Sequence, residues 1–320
     1  MTTPSNPLGL RDREKFSVIA VVRCDSTVTS RRDLTDGSIV LPGVRQLVDD
    51  WWQSQIGEIQ YNQLQDCDLA LVRHGPSEHP DLLDAENKSL YEELYTLFKL
   101  LQISGVPNYE EAFALNGSVT GGRLNVRQVG GRRRFCPTPG SPASPVTPER
   151  LEEAARASMV WREMRDSDYD RFKRGLFILL DGLRQRFGKE RLHQYVRALE
   201  ALTLPHRGEQ FVKRCRTFSA DGEAAEKLLV EVYRMRNAVE HVHEWDRALK
   251  TYPVPDREPL AMRRTRQMEG LACAAYRRVF SEPDVRVHFR SDDSIAAFWK
   301  LPDEPRRSIW GDPFDVSALQ

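Results

Sequence analysis

The chain has 320 residues, of which 40% are hydrophobic and 29% charged; this is enough apolar material for one large or two ordinary domains and excludes a chain too polar to fold. Its 47 Lys and Arg balance 47 Asp and Glu, so a uniformly basic nucleic-acid coat is excluded, although local basic patches are not. The five cysteines, Cys24, Cys67, Cys136, Cys215 and Cys273, form no CxxC pair, which argues against a disulfide framework or zinc ribbon and fits a reducing compartment.

Residues 1–15 are polar, contain prolines and lack the apolar run of a signal peptide, so they read as a loose arm. No stretch approaches the roughly eighteen apolar residues of a membrane helix, and the expected setting is cytoplasmic, with no membrane partner. Phe16–Cys24 is short and β-branched and reads as a strand. A second short strand is expected over Ser38–Leu41, a helix over Val44–Gln55, and a short buried strand over Leu69–Val72, closed by a turn at His74-Gly75-Pro76. Leu90, Leu94, Leu97, Leu100 and Leu101 recur at helical spacing, so 88–104 reads as an amphipathic helix, stopped by Gly105 and Pro107. Residues 113–136 place glycines between β-like runs and read as one or two hairpins.

The composition then changes. PTPGSPASPVTP, residues 137–148, reads as a linker or wrapped loop. Thr147 is a good N-cap and Pro148 suits the first helical position. Helices are expected over 148–164, 168–187, 189–203, 208–218, 222–249 and 258–280, with breaks at Asp166-Ser167, Gly188, Leu204-Pro205, Ala220-Asp221-Gly222 and Pro253–Pro255. Leu192, Val196, Leu199 and Leu202 supply an apolar stripe of the kind a bundle buries. The last forty residues are rich in Trp and Pro and show no strong pattern. The expected class is α+β: a mixed α/β N-terminal domain over 1–140, an all-α bundle over 141–285, and a C-terminal extension over 286–320.

The segment with chemical content is LVEVYRMRNAVEH, residues 229–241. On a helix, Arg236 and His241 lie about 140° apart, with Asn237 one turn before His241 and Glu240 one turn after Arg236. Val232, Val239 and Val242 fall on the other side, where they can be buried. By itself such a polar face is most simply a solvated one, with Arg236 and Glu240 an ordinary i,i+4 pair.

The run Arg236-Asn237-Ala238-Val239-Glu240-His241 resembles the signature of HEPN domains, an arginine followed after a short spacer by a histidine, with a polar residue directly after the arginine. Tyr233 upstream matches the YxxR arrangement of HEPN sequences related to the ApeA group, and RLHQYVRALEAL (191–202) resembles the helix that precedes the motif there. The resemblance covers about residues 167–280. It implies a metal-independent endoribonuclease acting as a homodimer, in which two copies of the motif face each other. His241 would act as general base on the ribose 2′-hydroxyl or general acid on the leaving oxygen, a task that suits imidazole because it titrates near neutrality. Arg236 would hold the phosphate and the charge developing on it, and Asn237 would orient the phosphate or the histidine. The products would be a cyclic phosphate and a free 5′-hydroxyl, and DNA would resist. Glu200 is a candidate clamp for Arg236; His243, Tyr233 and Glu240 are weaker supporting candidates. No cofactor or metal is expected. The implied partners are RNA, with tRNA as one candidate, a second copy of the chain, and a regulatory protein; the implied setting is bacterial stress or phage defence, as a toxin. The N-terminal part would be a sensor, substrate guide or autoinhibitory module.

Other readings stay open. A HEPN domain can serve as a non-catalytic dimerisation or RNA-binding module. Arg73-His74-Gly75 after a strand resembles the start of a histidine phosphatase, but the chain downstream becomes helical and His288 lacks the context of that fold's second histidine. Arg132-Arg133-Arg134, and the six arginines between 257 and 278, could touch RNA phosphates, against the simpler reading of solvated faces.

Overall fold

The computed structural model describes residues 6–142, 144–165, 168–220, 222–241 and 243–318. The expected breaks at Asp166-Ser167 and Asp221, and the expected buried position of Val242, lie outside the described residues. The fold class is α+β, with an antiparallel sheet in the N-terminal part and helices in the C-terminal part. Two units form: one from Met1–Gln102, Pro107–Arg134 and Ala143–Met159, the other from Ile103–Val106, Phe135–Pro142 and Val160–Gln320.

In the first unit the strands are β1 (Glu14–Val22), β2 (Arg32–Asp33), β3 (Ile39–Arg45), β4 (Asp66–Pro76), β5 (Glu111–Thr120) and β6 (Arg123–Gly131), and the helices α1 (Trp51–Ile56), α2 (Glu58–Gln65) and α3 (Ala85–Ile103). The sheet order is β2-β3-β4-β1-β5-β6, antiparallel throughout. β1 is central, which explains its unbroken apolar run: Val18 pairs with Val72 on one side and Leu115 on the other. Phe16, Val18, Ala20 and Val22 join Trp52 and Leu64 in one core. α3 is tied to the sheet by Asn87 Nδ2, which donates to the Gly117 carbonyl at 3.0 Å. Gly117 sits at a bulge where an added Cβ would lie 2.1 Å from the Asn125 carbonyl oxygen, so no other residue fits without moving the hairpin.

Two expectations here are corrected. The helix expected over Val44–Gln55 starts only at Trp51, because Val44 and Arg45 still pair with Cys67 and Asp66 of β4. His74-Gly75-Pro76 is not a turn: β4 continues through it, paired with Glu14–Phe16 of β1.

The remaining helices are α4 (Pro148–Arg165), α5 (Asp170–Gly182), α6 (Gly188–Thr203), α7 (Gly208–Cys215), α8 (Glu223–Glu240), α9 (Val254–Ser281), α10 (Pro283–Arg286), α11 (Asp292–Lys300) and α12 (Asp303–Trp310). Thr147 caps α4 as expected, its hydroxyl accepting from the Arg150 amide at 3.3 Å. α6 is the hub of the second unit and packs on α5, α8 and α9. Its stripe of Leu192, Val196, Leu199 and Leu202 is fully buried. α5 approaches α6 and α9 at Gly175, where an added Cβ would lie 1.9 Å from Tyr276 Oη and 2.6 Å from Ala201 Cβ.

Three expectations are corrected in this part. The helix expected over 168–187 stops at Gly182. The last helix starts at Val254 rather than 258, because Pro255 suits a first turn whose amides have no partner anyway. The patternless final forty residues contain α10–α12, with Trp299 and Trp310 buried around Phe218.

A buried polar cluster lies on α6 and α9. Glu269 accepts from Tyr195 Oη at 2.7 Å and from the Thr138 hydroxyl, and lies 3.4 Å from Arg191 Nη1. Arg191 also donates to the carbonyls of Cys136 and Gln185, each at 2.7 Å, so the segment 136–138 is held by buried charge. Among the described residues no helix is long and apolar enough to cross a membrane.

Candidate active site

The motif lies on the last turn of α8 and just past it. The helix expected over 222–249 ends at Glu240, and His241 is its C-cap residue. The His241 amide donates to Asn237 O at 3.1 Å and the His243 amide to Ala238 O at 2.8 Å, so two carbonyls of the last turn are satisfied. A short 3-10 turn, Trp245–Leu249, follows. The motif is therefore not halfway along a helix, as the periodicity suggested, but at its end, where a side chain can leave the helix surface.

Leu229, Val232 and Met235 bury the apolar face of α8. This turns Arg236 toward α6, where Nη2 meets Glu200 Oε2 at 3.1 Å and Glu240 Oε2 at 3.6 Å. Nη1 donates to Asn237 Oδ1 at 3.1 Å, and the guanidinium carbon lies 5.9 Å from the centre of the Tyr233 ring. Glu240 in turn lies 2.7 Å from His193 Nε2. The result is a chain His193–Glu240–Arg236–Glu200, bridging α6 and α8. The Arg236 side chain is 18% exposed.

The two carboxylates differ in character. Burial pushes the Glu200 carboxyl above the usual range, more strongly than Arg236 and Arg197 pull it down. The hydrogen bond from His193, and then Arg236, hold Glu240 below it. Their surroundings thus shift the two carboxylates in opposite directions. Burial also raises the Tyr233 hydroxyl.

Of the residues expected to act, Arg236, Asn237, Glu200, Glu240 and Tyr233 come together. His241 does not join them: it is exposed, and among the described residues its ring has no hydrogen-bond or ion-pair partner. His243 is exposed, and among the described residues only its amide is engaged. His193 escaped the sequence reading. Its signal was there: His193, Arg197 and Glu200 recur at i, i+4 and i+7 along α6, beside the buried stripe and facing the motif.

Arg73 and His74 form no phosphohistidine constellation. Arg73 pairs with Glu93 at 2.7 Å and with the Asp36 carbonyl, and His74 Nδ1 lies 3.3 Å from Glu14. Of the basic run after β6, Arg132 is spent on Tyr91 (2.9 Å to its hydroxyl) and Arg134 on Asn108. Searched against protein-family models, curated proteins and solved structures, the chain matches none of them.

Proposed function

We propose that the chain is a metal-independent endoribonuclease of HEPN type, cleaving RNA through a composite site in which α8 ends from two copies face one another. One observation carries the reading: an exposed imidazole that has no partner among the described residues, His241, directly follows the helix turn that carries a partly accessible guanidinium, Arg236, and an amide, Asn237. In a single copy the imidazole has nothing to act with, and a second copy brings another such end. The ribose 2′-oxygen attacks the adjacent phosphorus, His241 of one copy takes its proton, and the 5′-oxygen leaves with a proton from the other copy's histidine. Arg236 and Asn237 neutralise and orient the phosphate, giving a 2′,3′-cyclic phosphate and a 5′-hydroxyl. The proposed setting is cytoplasmic RNA damage in bacterial stress or phage defence, with tRNA as a candidate target and the N-terminal unit or a second protein as restraint.

A second reading, a non-catalytic dimerisation or RNA-binding module, is favoured by the commitment of Arg236 to both Glu200 and Glu240, which offsets the positive charge a phosphate would seek. The test is cleavage of total RNA and tRNA in EDTA by the wild type, His241→Ala and Arg236→Ala, with mass analysis of the ends. Cyclic-phosphate ends from the wild type alone support the nuclease. RNA binding equal in all three proteins, with no cleavage and no histidine-dependent toxicity in cells, would select the module.

A further inference from the structure

A cavity of about 570 Å³ opens between α7, α8 and α12, wholly within the second unit. Its volume lies within the roughly 300–1,000 Å³ of small-molecule sites. One wall is apolar: Val212 from α7, Val230 and Tyr233 from α8. The helical spacing of Glu226, Val230 and Tyr233, with Arg234 next along, brings one continuous face of α8 to the lumen.

The charged lining divides by its pairing. Arg216 is matched by Glu226 at 2.9 Å. Arg306 is buried against Asp303, the Thr217 hydroxyl at 3.0 Å and the face of Trp299, and is a structural cation. Lys213 and Arg234 differ: both line the cavity, and among the described residues neither makes a hydrogen bond or a close ion pair, although Lys213 is near enough to help hold the Asp303 carboxyl below its ordinary range. Arg307 and Glu209 complete the charged lining, which sets five cations against three carboxylates, so the cavity keeps a positive excess. The Tyr233 hydroxyl has no hydrogen-bond partner among the described residues either. Its ring is wedged between Phe211, at 5.1 Å between centres, and Gly208, where an added Cβ would lie 2.6 Å from the ring. The wall is thus closely packed, and the two cations on it are exposed.

We infer that this cavity binds a small organic phosphate monoester, its dianionic head between Lys213 and Arg234 and its organic part on Val212, Val230 and Tyr233. Two exposed cations outside the close ion pairs suit a head of about two negative charges better than a single carboxylate does. An apolar wall of this size gives inorganic phosphate nothing to rest on. The site is separate from the Arg236–His241 end and does not rest on the ribonuclease reading; Tyr233, which also stacks near Arg236, is the residue common to both.

The test is calorimetric titration of the full chain with phenyl phosphate, adenosine 5′-monophosphate, glucose 6-phosphate and inorganic phosphate. At least one ester binds at least tenfold more tightly than inorganic phosphate, Lys213→Ala and Arg234→Ala each weaken it about tenfold, and Val230→Trp, which fills the lumen, removes it. Both charge variants alter exposed side chains and keep the wild-type circular dichroism. His241→Ala leaves the affinity unchanged, so loss of cleavage and loss of ligand are separable. The inference fails if no ester binds, if inorganic phosphate binds as well as the esters, or if the charge variants bind like the wild type.

Discussion

Arg191→Met tests whether the buried charge on α6 and α9 is held as its geometry requires. The substitution keeps most of the side-chain volume and removes the guanidinium that lies 3.4 Å from Glu269. Glu269 stays buried, with Tyr195 and Thr138 still donating to it but no cation beside it. A buried carboxylate that loses its ionic partner costs about 3–5 kcal/mol. For a unit of this size that lowers Tm by roughly 6–20 °C. The cost depends on pH, and the sign follows from Glu269 itself. Burial already raises its carboxyl above the usual range, and Arg191 is among the groups pulling it back. In the variant it rises further. An acid whose folded pKa exceeds its unfolded one binds more protons when folded, so stability increases as pH falls through the folded value and the full penalty stands above it. Urea unfolding followed by circular dichroism therefore shows a larger deficit at pH 8 than at pH 5. The double variant Arg191→Met/Glu269→Gln, which removes the charge but leaves an acceptor for Tyr195 and Thr138, regains much of the loss at pH 8. A deficit of equal size at both pH values, or a double variant no more stable than the single, would refute this account of the cluster.

Three further outcomes are expected. Gly175→Ala forces a methyl group against Tyr276 Oη and Ala201, an overpacking that costs about 1–3 kcal/mol or more, and Tyr276→Phe added to it restores part of the loss in thermal unfolding. His193→Ala removes the main cause of the lowered Glu240 carboxyl, so the Glu240 side-chain carbon titrates at higher pH by NMR than in the wild type; an unchanged midpoint would show that the two groups are not paired in solution. Burial pushes the thiols of Cys24 and Cys67 up to about 12 and those of Cys215 and Cys273 well above their ordinary value, so at pH 8 all four react with Ellman's reagent far more slowly than a free thiol and become fast only on unfolding.

Much of the architecture could be read from local pattern. The apolar run Val18–Val22 requires a strand covered on both sides, and the leucine stripes of α3 and α6 specify one buried face each. The α4 cap at Thr147-Pro148 is a matter of neighbouring residues, so sequence suffices for it. The composition change at residues 137–148 marked where strands give way to helices.

What pattern could not decide were features set by partners distant in sequence. β4 runs through Gly75-Pro76 because β1 lies beside it, and no local signal outweighs the turn propensity of those residues. The helix of α8 stops at Glu240 although its composition would carry it further, and that stop frees His241 instead of burying it on a helix face. Residues 229–241 pointed to Arg236 and Asn237, but the partners of Arg236 are Glu200, 36 residues away, and His193 acting through Glu240. The cavity holding Lys213 and Arg234 is beyond any local pattern, because α12, which completes the walls formed by α7 and α8, lies about sixty residues further along the chain. Periodicity fixes which face of a helix is apolar, since that depends only on spacing along the chain; which charges share a cleft depends on how helices cross, which only the packed core determines.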